Sequence, residues 1–514
     1  MTAMTTLAPL EGSGNYVAGR LVEPQPSGRD GELVATSPAD TRDVIARYGW
    51  SRALVDEAVS AARAAFPAFR RLGEAARREL LYAYQGKLRE HRELLALTIA
   101  REVGKPLWEA KTEVDAMIGK VDVSLDEGAR YTANETLATL PGEIRHMPLG
   151  VVAVIGPFNF PGHLPNGQIV PALLTGNTVV HKPSEKTPCT ATLIARCMHE
   201  AGVPAGVFNV VQGDGSAGEK LSTHAGIDGV LFTGSINVGR RIAQANAGRP
   251  DRLIALELGG KNASIALDDC DIERSARAIA FAAFITAGQR CTATSRLYVT
   301  RSVADKLIVR IAELTRGLRI GNILEPDVFM GSVISESARD ALLAAQAKAR
   351  ASGYENVVTG AALRVDHPHG FYVRPSILRA ETAELDVAGY TDAELFGPDL
   401  AVHVVRDEDH ALELASRSRF GLTAGVFTGS RDAFERAVDA LRVGVVCWNR
   451  PTAGASGRLP FGGVRDSGNH RPAGIMAGLT CSYPVGLMLT PSPDDPLPSW
   501  PGFPSGPSAI AAKN

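Results

Sequence analysis

The chain has 514 residues, of which 45% are hydrophobic and 21% charged, the composition of an ordinary globular protein with room for about three lobes. Its formal net charge of −2 excludes the strongly basic surface that nucleic-acid-binding proteins present. No apolar run approaches the ~18 residues of a membrane-spanning helix.

The six cysteines are irregularly spaced and contain no C-x-x-C pair, which argues against a disulfide framework or a structural zinc site. The first twenty residues lack the pattern of a secretory signal. The histidines are scattered rather than set at ligand spacing, so no metal site is expected. These features predict a cytoplasmic enzyme whose partners include neither nucleic acid nor a membrane.

The first predicted elements are helices. Residues 54–66 place Val55, Val59 and Phe66 on one apolar stripe, and helical patterns continue to about residue 120. Residues 126–150 are more polar and strand-like, which predicts an extended arm or hairpin.

Short apolar runs then alternate with helical segments. Residues 188–200 form the clearest helix, with a proline at its start and Gly202 just beyond its end. This alternation predicts a doubly wound parallel sheet with a nucleotide-type crevice at its strand ends. A second α/β region is expected at 260–445, and the seven prolines of 491–507 predict a disordered tail. The apolar runs lie at 151–155, 178–180, 207–211, 230–232 and 253–256.

Polar groups follow several of these runs. Gly234 and Ser235 begin a G-x-x-x-x-G segment before a predicted helix at 240–247, where backbone amides can hold a pyrophosphate. Lys182 and Glu185 offer a donor and an acceptor for ribose hydroxyls. A serine-capped tight loop and a solvated strand end are equally good interpretations of these two segments taken alone.

Two further loops carry candidate groups. Asn159 lies between two prolines, where its amide can form half of an oxyanion hole or simply stabilise a turn. Glu394 and Phe396 point the same way in an extended segment, which suits a ribose and a flat ring, or else ordinary loop packing.

Cys291 ends the tetrapeptide Gly-Gln-Arg-Cys, which follows the apolar segment 278–285 and precedes the small residues 292–294. An uncrowded thiol is what a nucleophile needs, although most lone cysteines are small buried hydrophobes. Glu257 lies upstream after a predicted strand and can activate the water that hydrolyses a thioester.

In this order, the motifs of Asn159, Lys182, Gly234, Glu257 and Cys291 resemble the aldehyde dehydrogenase superfamily from about residue 15 to 488. The resemblance is closer to members that oxidise N-succinylglutamate 5-semialdehyde in bacterial arginine catabolism. The segments that carry this closer resemblance are 162–167, 329–331, 448–449 and 467–472.

The resemblance implies an α/β fold with a Rossmann-like NAD-binding domain, an α/β catalytic domain and a small β oligomerisation arm in a dimer or tetramer. The implied boundaries are 14–125 and 149–257 for the NAD-binding domain, 258–445 for the catalytic domain, 126–148 and 474–490 for the arm, and 491–514 for the tail.

It further implies that Cys291 is the nucleophile, Glu257 the general base and Asn159 an oxyanion donor. The substrate has two carboxylates, so Arg290, His470 and Arg471 are candidates to bind it, or else form ordinary salt bridges. A dehydrogenase of another aldehyde and a non-catalytic nucleotide-binding protein are the alternatives. The residues implied to bind the NAD cofactor are Phe158, Lys182, Ser184, Glu185, Gly234, Ser235, Gly239, Leu258, Glu394 and Phe396.

Overall fold

The computed structural model of the chain describes residues 12–364, 368–489 and 500–503. The predicted disordered tail therefore lies outside the described residues except for 500–503. No helix in the described part is both long and apolar enough to cross a membrane.

The described residues contain α-helices that mostly follow individual strands. In chain order they are α1 Ala53–Arg71, α2 Glu74–Glu90, α3 Arg92–Val103, α4 Leu107–Asp122, α5 His163–Leu174, α6 Pro188–Glu200, α7 Gly215–Thr223, α8 Ile236–Ala245, α9 Ile272–Phe284, α10 Arg301–Arg316, α11 Glu336–Ala351, α12 Glu408–Ser416 and α13 Arg431–Ala440.

The strands of the described residues form two large sheets and several small ones. In chain order they are β1 Asn15–Val17, β2 Arg20–Val22, β3 Gly31–Ser37, β4 Asp40–Trp50, β5 Glu135–Thr136, β6 Gly142–Pro148, β7 Val151–Ile155, β8 Thr178–Lys182, β9 Phe208–Val210, β10 Gly229–Thr233, β11 Leu253–Glu257, β12 Asn262–Ala266, β13 Thr294–Thr300, β14 Tyr354–Val358, β15 Ala361–Ala362, β16 Val373–Arg374, β17 Ser376–Ala380, β18 Asp399–Val405, β19 Phe420–Gly421, β20 Thr423–Phe427, β21 Val445–Trp448, β22 Pro460–Phe461, β23 Val464–Arg465, β24 Ala473–Gly474 and β25 Ser482–Met488.

The first large sheet has the strand order β11-β10-β7-β8-β9-β1-β2. The strands from β11 to β9 pair in parallel, whereas β1 and β2 join antiparallel at the edge. The chain builds outward from β7 through β8 to β9 and then returns to the other side of β7. The strand order therefore reverses between β7 and β10, which is where parallel sheets leave a crevice for a ligand.

The apolar runs predicted from the sequence become strands because both sheet faces are covered. In β7, Val152 and Val154 pack into a core formed with α2 to α6, whereas Val151 and Ala153 pack against α1 on the other face. Alternate residues thus enter different cores, so the whole strand must be apolar. The five predicted runs coincide with β7 to β11.

The second large sheet has the order β14-β17-β18-β13-β12-β20-β21, parallel except for β14. It too has a core on each face, with Leu297 and Val299 of β13 on one side and Tyr298 on the other. The predicted α/β fold class is confirmed by these two sheets and their helices.

The expected arm differs from the sequence prediction in its first part. Residues Val123–Gly128 form a π-helical turn and Ala129–Thr132 a 3-10 turn, so the strand-like interpretation of 126–132 is wrong. Burial of Val123 and Leu125 extends α4 despite the polar pattern. The remainder forms β5 and β6, and β25 pairs with β6 over seven residues from Ser482 to Met488.

Candidate active site

A cavity of about 810 Å³ lies at the carboxyl ends of β7, β8, β10 and β11. In parallel strands these ends share one edge of the sheet, and the pairs Ile155–Lys182 and Thr233–Glu257 show them in register. Every predicted catalytic and cofactor-binding residue except Gly239 lines this cavity. Gly239 lies one turn inside α8, where a Cβ would be 2.6 Å from the Leu258 side chain.

Cys291 reaches the cavity because its helix ends abruptly. After α9 ends at Phe284, Thr286, Ala287 and Gly288 adopt left-handed backbone angles with φ of 57°, 52° and 69°. A Cβ on Gly288 would lie 2.2 Å from the Gly397 carbonyl oxygen, so only glycine fits there. Left-handed non-glycine residues cost about 1–3 kcal/mol each and cluster at functional sites.

Side chains of the second sheet fix the cysteine loop. Asn262 donates from Nδ2 to the Cys291 carbonyl at 2.7 Å, and Thr452 donates to the Thr292 carbonyl at 2.7 Å. Gln289 accepts the Ile334 amide at 2.8 Å. The thiol is therefore presented by a loop whose backbone is held on both sides.

Asn159 lies in the loop after β7, opposite the cysteine loop. Its Nδ2 donates to the Gln289 carbonyl at 2.9 Å, and the residue is buried. The side-chain amide and the backbone before Cys291 are thus already in contact. The Asn159 amide therefore lies against the backbone that leads to the thiol, and both residues line the cavity, where such an N–H donor can form part of an oxyanion hole.

Glu257 ends β11 and is 1% exposed. Neither carboxylate oxygen has a hydrogen-bond partner among the described residues. Burial raises the pKa of Glu257 to about 8, and the nearby backbone N–H of Gly463, which is not placed for a well-formed hydrogen bond, opposes that rise only in part. An unpaired buried carboxylate with a pKa near neutrality fits a general base better than a structural group.

The segment 467–469 holds the end of β11 in place. Asn469 accepts the Leu256 amide at 2.7 Å and donates to the Ile254 carbonyl at 3.1 Å, while Leu258 donates to the Ser467 carbonyl at 2.9 Å. Part of the sequence segment 467–472 therefore acts by positioning Glu257.

Cys291 is half-buried, and three effects raise the pKa of its thiol well above the ordinary value. Burial is the largest, followed by the charges that Glu257 and Glu394 carry when they are ionised. The resting thiol is therefore protonated at neutral pH, and its activation depends on what binds next to it.

Glu394 and Phe396 enter the cavity from a loop of the second lobe. The Glu394 Oε1 accepts the Gly260 amide at 3.0 Å, and its carboxylate fills the space that a Cβ on Gly259 would need. Phe396, at φ 53°, meets Phe158 edge-to-face with ring centroids 5.7 Å apart. Burial raises the pKa of Glu394 to about 7.

The other end of the cavity holds the polar groups expected to contact a ribose and a pyrophosphate. Lys182 Nζ lies 3.7 Å from Glu185 Oε2 at the end of β8. Ser235 caps α8 by accepting the Val238 amide at 3.4 Å, and both residues line the cavity, so the N-terminus of the helix lies at its wall. The predicted helix at 240–247 therefore begins four residues earlier, directly at the serine.

Sequence reasoning missed one part of this wall. Asp214, Gly215 and Ser216, at the start of α7, line the cavity beside Lys182. The signal that would have found them is the Gly-Asp-Gly turn directly after the predicted strand at 207–211.

These residues fit a dinucleotide. The volume matches that of small-molecule and cofactor sites, about 300–1,000 Å³. A lysine and a glutamate lie at one end, a helix N-terminus lies along the wall, and a buried, unpartnered carboxylate lies beside a thiol at the other end.

A second cavity of about 120 Å³ adjoins the first, and Cys291 lines both. The second cavity is also lined by Lys120 of α4 and by Phe160, His163 and Arg290. The cysteine therefore has a large cavity on one side and a smaller, cationic cavity on the other.

The three predicted substrate residues are placed differently from one another. Arg290 lines the second cavity, but its guanidinium is bound by Glu109 at 2.9 Å and lies over the Phe160 ring. His470 and Arg471 are exposed and line neither cavity, because Asn469 turns towards β11 and both following residues take left-handed angles, φ 54° and 48°. Their prediction as substrate-binding residues is not supported by this geometry.

Helix α4 joins the two catalytic loops. Its buried Glu109 binds Arg290 and Thr286 of the cysteine loop. One turn later, buried Glu113 binds Lys105 Nζ at 2.6 Å and accepts the Gly162 amide at 2.9 Å. Lys105 also donates to the Asn159 carbonyl at 2.7 Å. One helix face thus sets the position of the loops that carry Asn159 and Cys291.

Comparison with known proteins gives a consistent result. Residues 26–483 match the sequence profile of the aldehyde dehydrogenase family. N-succinylglutamate 5-semialdehyde dehydrogenase of Chromobacterium violaceum is 44% identical over 461 residues, which cover 89% of this chain and 93% of that protein. The enzyme of the same name from Novosphingobium aromaticivorans is 43% identical over 460 residues, 88% and 95% of the two chains.

Solved structures match as well. The crystal structure of an NAD-dependent aldehyde dehydrogenase from Sinorhizobium meliloti superposes with a TM-score of 0.88 at 29% identity and covers 95% of this chain and 97% of that one.

Proposed function

Because the chain belongs to the aldehyde dehydrogenase family, we propose that it oxidises N-succinylglutamate 5-semialdehyde to N-succinylglutamate with NAD. The observation that carries the chemistry is the position of Cys291, which lines a dinucleotide-sized cavity together with Glu257 and a cationic cavity on its other side. The names of the two relatives supply the particular aldehyde.

In the proposed reaction, the Cys291 thiol gives up its proton to solvent, its sulfur bonds to the aldehyde carbon, and the carbonyl π bond opens to leave negative charge on the oxygen. The Asn159 side-chain amide and the Cys291 backbone N–H stabilise this oxyanion. Lys105 and Gln289 hold the Asn159 loop before substrate arrives, so little reorganisation is needed during the reaction.

When bound, NAD supplies the acceptor for the hydride that leaves the former aldehyde carbon. Lys182 and Glu185 would hold its adenine-side ribose, Gly234, Ser235 and Gly239 its pyrophosphate, and Glu394 and Phe396 its nicotinamide half. Ser184, Phe158 and Leu258 would complete the contact. A carboxylate at Glu185 disfavours a 2′-phosphate, which supports NAD over NADP.

Loss of the hydride leaves a thioester on Cys291. Glu257 then accepts a proton from water, the water oxygen adds to the thioester carbon, and the C–S bond breaks to release the carboxylate and the thiol. A carboxylate with a pKa of about 8 and no hydrogen-bond partner among the described residues is suited to this proton transfer.

The domain boundaries implied by the resemblance remain a prediction, and we include them in the proposal. The sheet β25-β6-β5 is separate from both large sheets and exposes Leu140, Tyr483 and Met488. Apolar side chains of this size on a small sheet support a role in a homo-oligomer, a dimer or tetramer. All six cysteines are free, which supports a cytoplasmic location.

The proposal is tested by steady-state kinetics. We expect kcat/KM with NAD to be at least about tenfold higher for N-succinylglutamate 5-semialdehyde than for succinic semialdehyde or a simple aliphatic aldehyde, since one extra satisfied charged contact is worth about 1.5–3 kcal/mol. NADP should be used less well than NAD. Cys291→Ala should abolish cofactor reduction with every aldehyde, and an equal kcat/KM across the panel would reject the substrate assignment.

A further inference from the structure

Lys120 is a buried cation that the reaction described above does not use. It lies on the buried face of α4 and is 6% exposed. Among the described residues no carboxylate, carbonyl or hydroxyl accepts a hydrogen bond from its ammonium group. Burial alone, with no opposing effect, lowers its pKa to about 8. A buried charge is normally paired, so an unpaired one calls for an absent partner.

The ammonium group faces the second cavity, the one that Cys291 also lines. Two glycines on different elements make room for it. A Cβ on Gly457 would lie 3.3 Å from Nζ, and a Cβ on Gly167 of α5 would lie 3.2 Å from Cε. Side chains at these positions would crowd the end of the lysine. Glycines on two different elements of the cavity therefore leave space around the ammonium group.

The other basic groups of this cavity are already neutralised. Arg290 is paired with Glu109. Burial, together with the positive charges of Lys120, Lys105 and Arg290, lowers the pKa of His163 to about 3, so its imidazole is neutral. Within the described part of the chain, Lys120 is thus the cation of this cavity without a counter-ion. The Nδ1 of His163 is also buried and has no hydrogen-bond partner among the residues that the structure describes.

We propose that Lys120 binds a carboxylate of the aldehyde substrate, with the His163 imidazole as a neighbouring hydrogen-bonding group. This inference rests on the proposed function, because it assigns the part of the site that selects an acidic aldehyde. The substrate supplies the counter-ion that the protein lacks. A neutral aldehyde leaves the ammonium desolvated and unpaired, so selectivity arises from a penalty on neutral substrates as well as from attraction.

In this arrangement, two residues of the sequence segment 162–167 help to form the carboxylate site. His163 and Gly167 lie one turn apart on α5, where one contributes the imidazole and the other the space for the lysine. In this proposal, residues of α4 and α5 recognise the acidic substrate, and His470 and Arg471 do not.

The test compares N-succinylglutamate 5-semialdehyde with its dimethyl ester, which lacks both negative charges and carries one extra methyl group at each former carboxylate. Lys120→Met keeps an unbranched side chain only one atom shorter than lysine and removes the charge. We expect kcat/KM for the diacid to fall about 10- to 100-fold, chiefly through KM, because a hydrogen bond to a charged group is lost. For the dimethyl ester we expect kcat/KM to stay the same or to rise, because the variant removes the desolvated ammonium that disfavours a neutral substrate and breaks no bond to the ester. KM for NAD should not change.

Lys111→Met is the matched control, since Lys111 lies on the same helix and forms an exposed pair with Glu93. It should leave both substrates unaffected. Lys120→Gln provides a second variant if Lys120→Met unfolds. Binding of the product N-succinylglutamate to Cys291→Ala, with and without Lys120→Met, gives a measurement independent of the chemistry.

An equal loss for diacid and ester, or no loss for either, would overturn the inference. The wild-type protein tests the proposed function separately. If it prefers a different carboxylated aldehyde, the substrate assignment is wrong, yet a selective loss for that aldehyde in Lys120→Met still supports the role of the lysine. If it prefers N-succinylglutamate 5-semialdehyde and Lys120→Met retains that preference, only the inference fails.

Discussion

At the scale of single residues, Glu257 is the most informative side chain. The fold places a carboxylate at 1% exposure and gives it no hydrogen-bond partner among the described residues. Such a group costs stability, so its presence at the end of β11 points to chemistry rather than folding. Its pKa of about 8 also makes the group sensitive to ordinary pH changes.

Glu257→Gln should separate the two halves of the reaction. Hydride removal needs no base at this position, so we expect one equivalent of reduced cofactor to form rapidly. The thioester should then persist, because glutamine cannot accept the proton from water. A stopped-flow trace with a stoichiometric burst and a slow steady state is the expected result. A near-normal steady state without a burst would exclude Glu257 as the base.

The pH dependence of the wild type follows from the same residue. A base with a raised pKa is protonated, and inactive, below that pKa. Thioester hydrolysis should therefore accelerate as pH rises through about 8, and Glu257→Gln should lose this part of the profile.

Much of the site could be predicted from the sequence because its residues lie in short motifs at the ends of strands or, for Cys291, after a helix. Cys291, Glu257 and Asn159 each end or follow one element, so local pattern suffices to find them. Lys120 could not be found this way, since it matters only because α4 packs against α5 and the loop of Gly457. The sequence carried only a weak signal for Lys120, which is that it falls on one helical face with Glu109, Glu113 and Met117.

At the scale of elements, α4 is the connection between the two catalytic loops. The pair Lys105–Glu113 is 1% and 0% exposed, and it binds the loop of Asn159 through a carbonyl and an amide. Helix α5 has no capping side chain of its own, and the Glu113 carboxylate serves its first amides instead.

Lys105→Met should affect both stability and catalysis. It leaves Glu113 as an uncompensated buried charge, which costs about 3–5 kcal/mol of unfolding free energy, and it releases the Asn159 carbonyl. We expect a lower urea midpoint and a reduced kcat with KM for NAD retained. Lys105→Met/Glu113→Gln should recover part of the stability. Lys111→Met, which breaks an exposed pair, should cost at most about 1 kcal/mol. Wild-type stability in Lys105→Met would show that the pair does not hold the loop.

The bounds of an element could be predicted from the sequence where both of its faces are buried, and could not be predicted where tertiary contacts decide its conformation. β7 to β11 lie buried between helices on both faces, so their apolar runs mark them almost to the residue. Residues 126–132 look polar and extended, but tertiary burial of Leu125 draws them into helical turns that continue α4. At residues 126–132, tertiary packing therefore outweighs the local conformational propensity of the sequence.

At the scale of the whole molecule, the two large sheets meet at the site and the small sheet β25-β6-β5 lies apart from both. Its longest pairing joins residues 142–148 to residues 482–488, which are distant in the chain. The exposed Leu140 and Met488 lie at one end of this sheet.

Leu140→Glu combined with Met488→Glu should shift the protein to smaller assemblies, because buried apolar contacts would be replaced by two charges per subunit. Light scattering coupled to size exclusion measures the mass directly. Val309→Glu is the control, since Val309 is 57% exposed on α10 outside this sheet. An unchanged mass in the double variant would contradict the proposal that this sheet joins subunits.

The protonated state of the Cys291 thiol also protects the enzyme before catalysis begins. Peroxides and alkylating reagents attack the thiolate, and two neighbouring carboxylates together with burial keep that form scarce in the resting protein. We therefore expect the resting thiol to react slowly with such reagents, although its sulfur faces a cavity. Burial of the thiol thus opposes its oxidation as well as the first step of the proposed reaction.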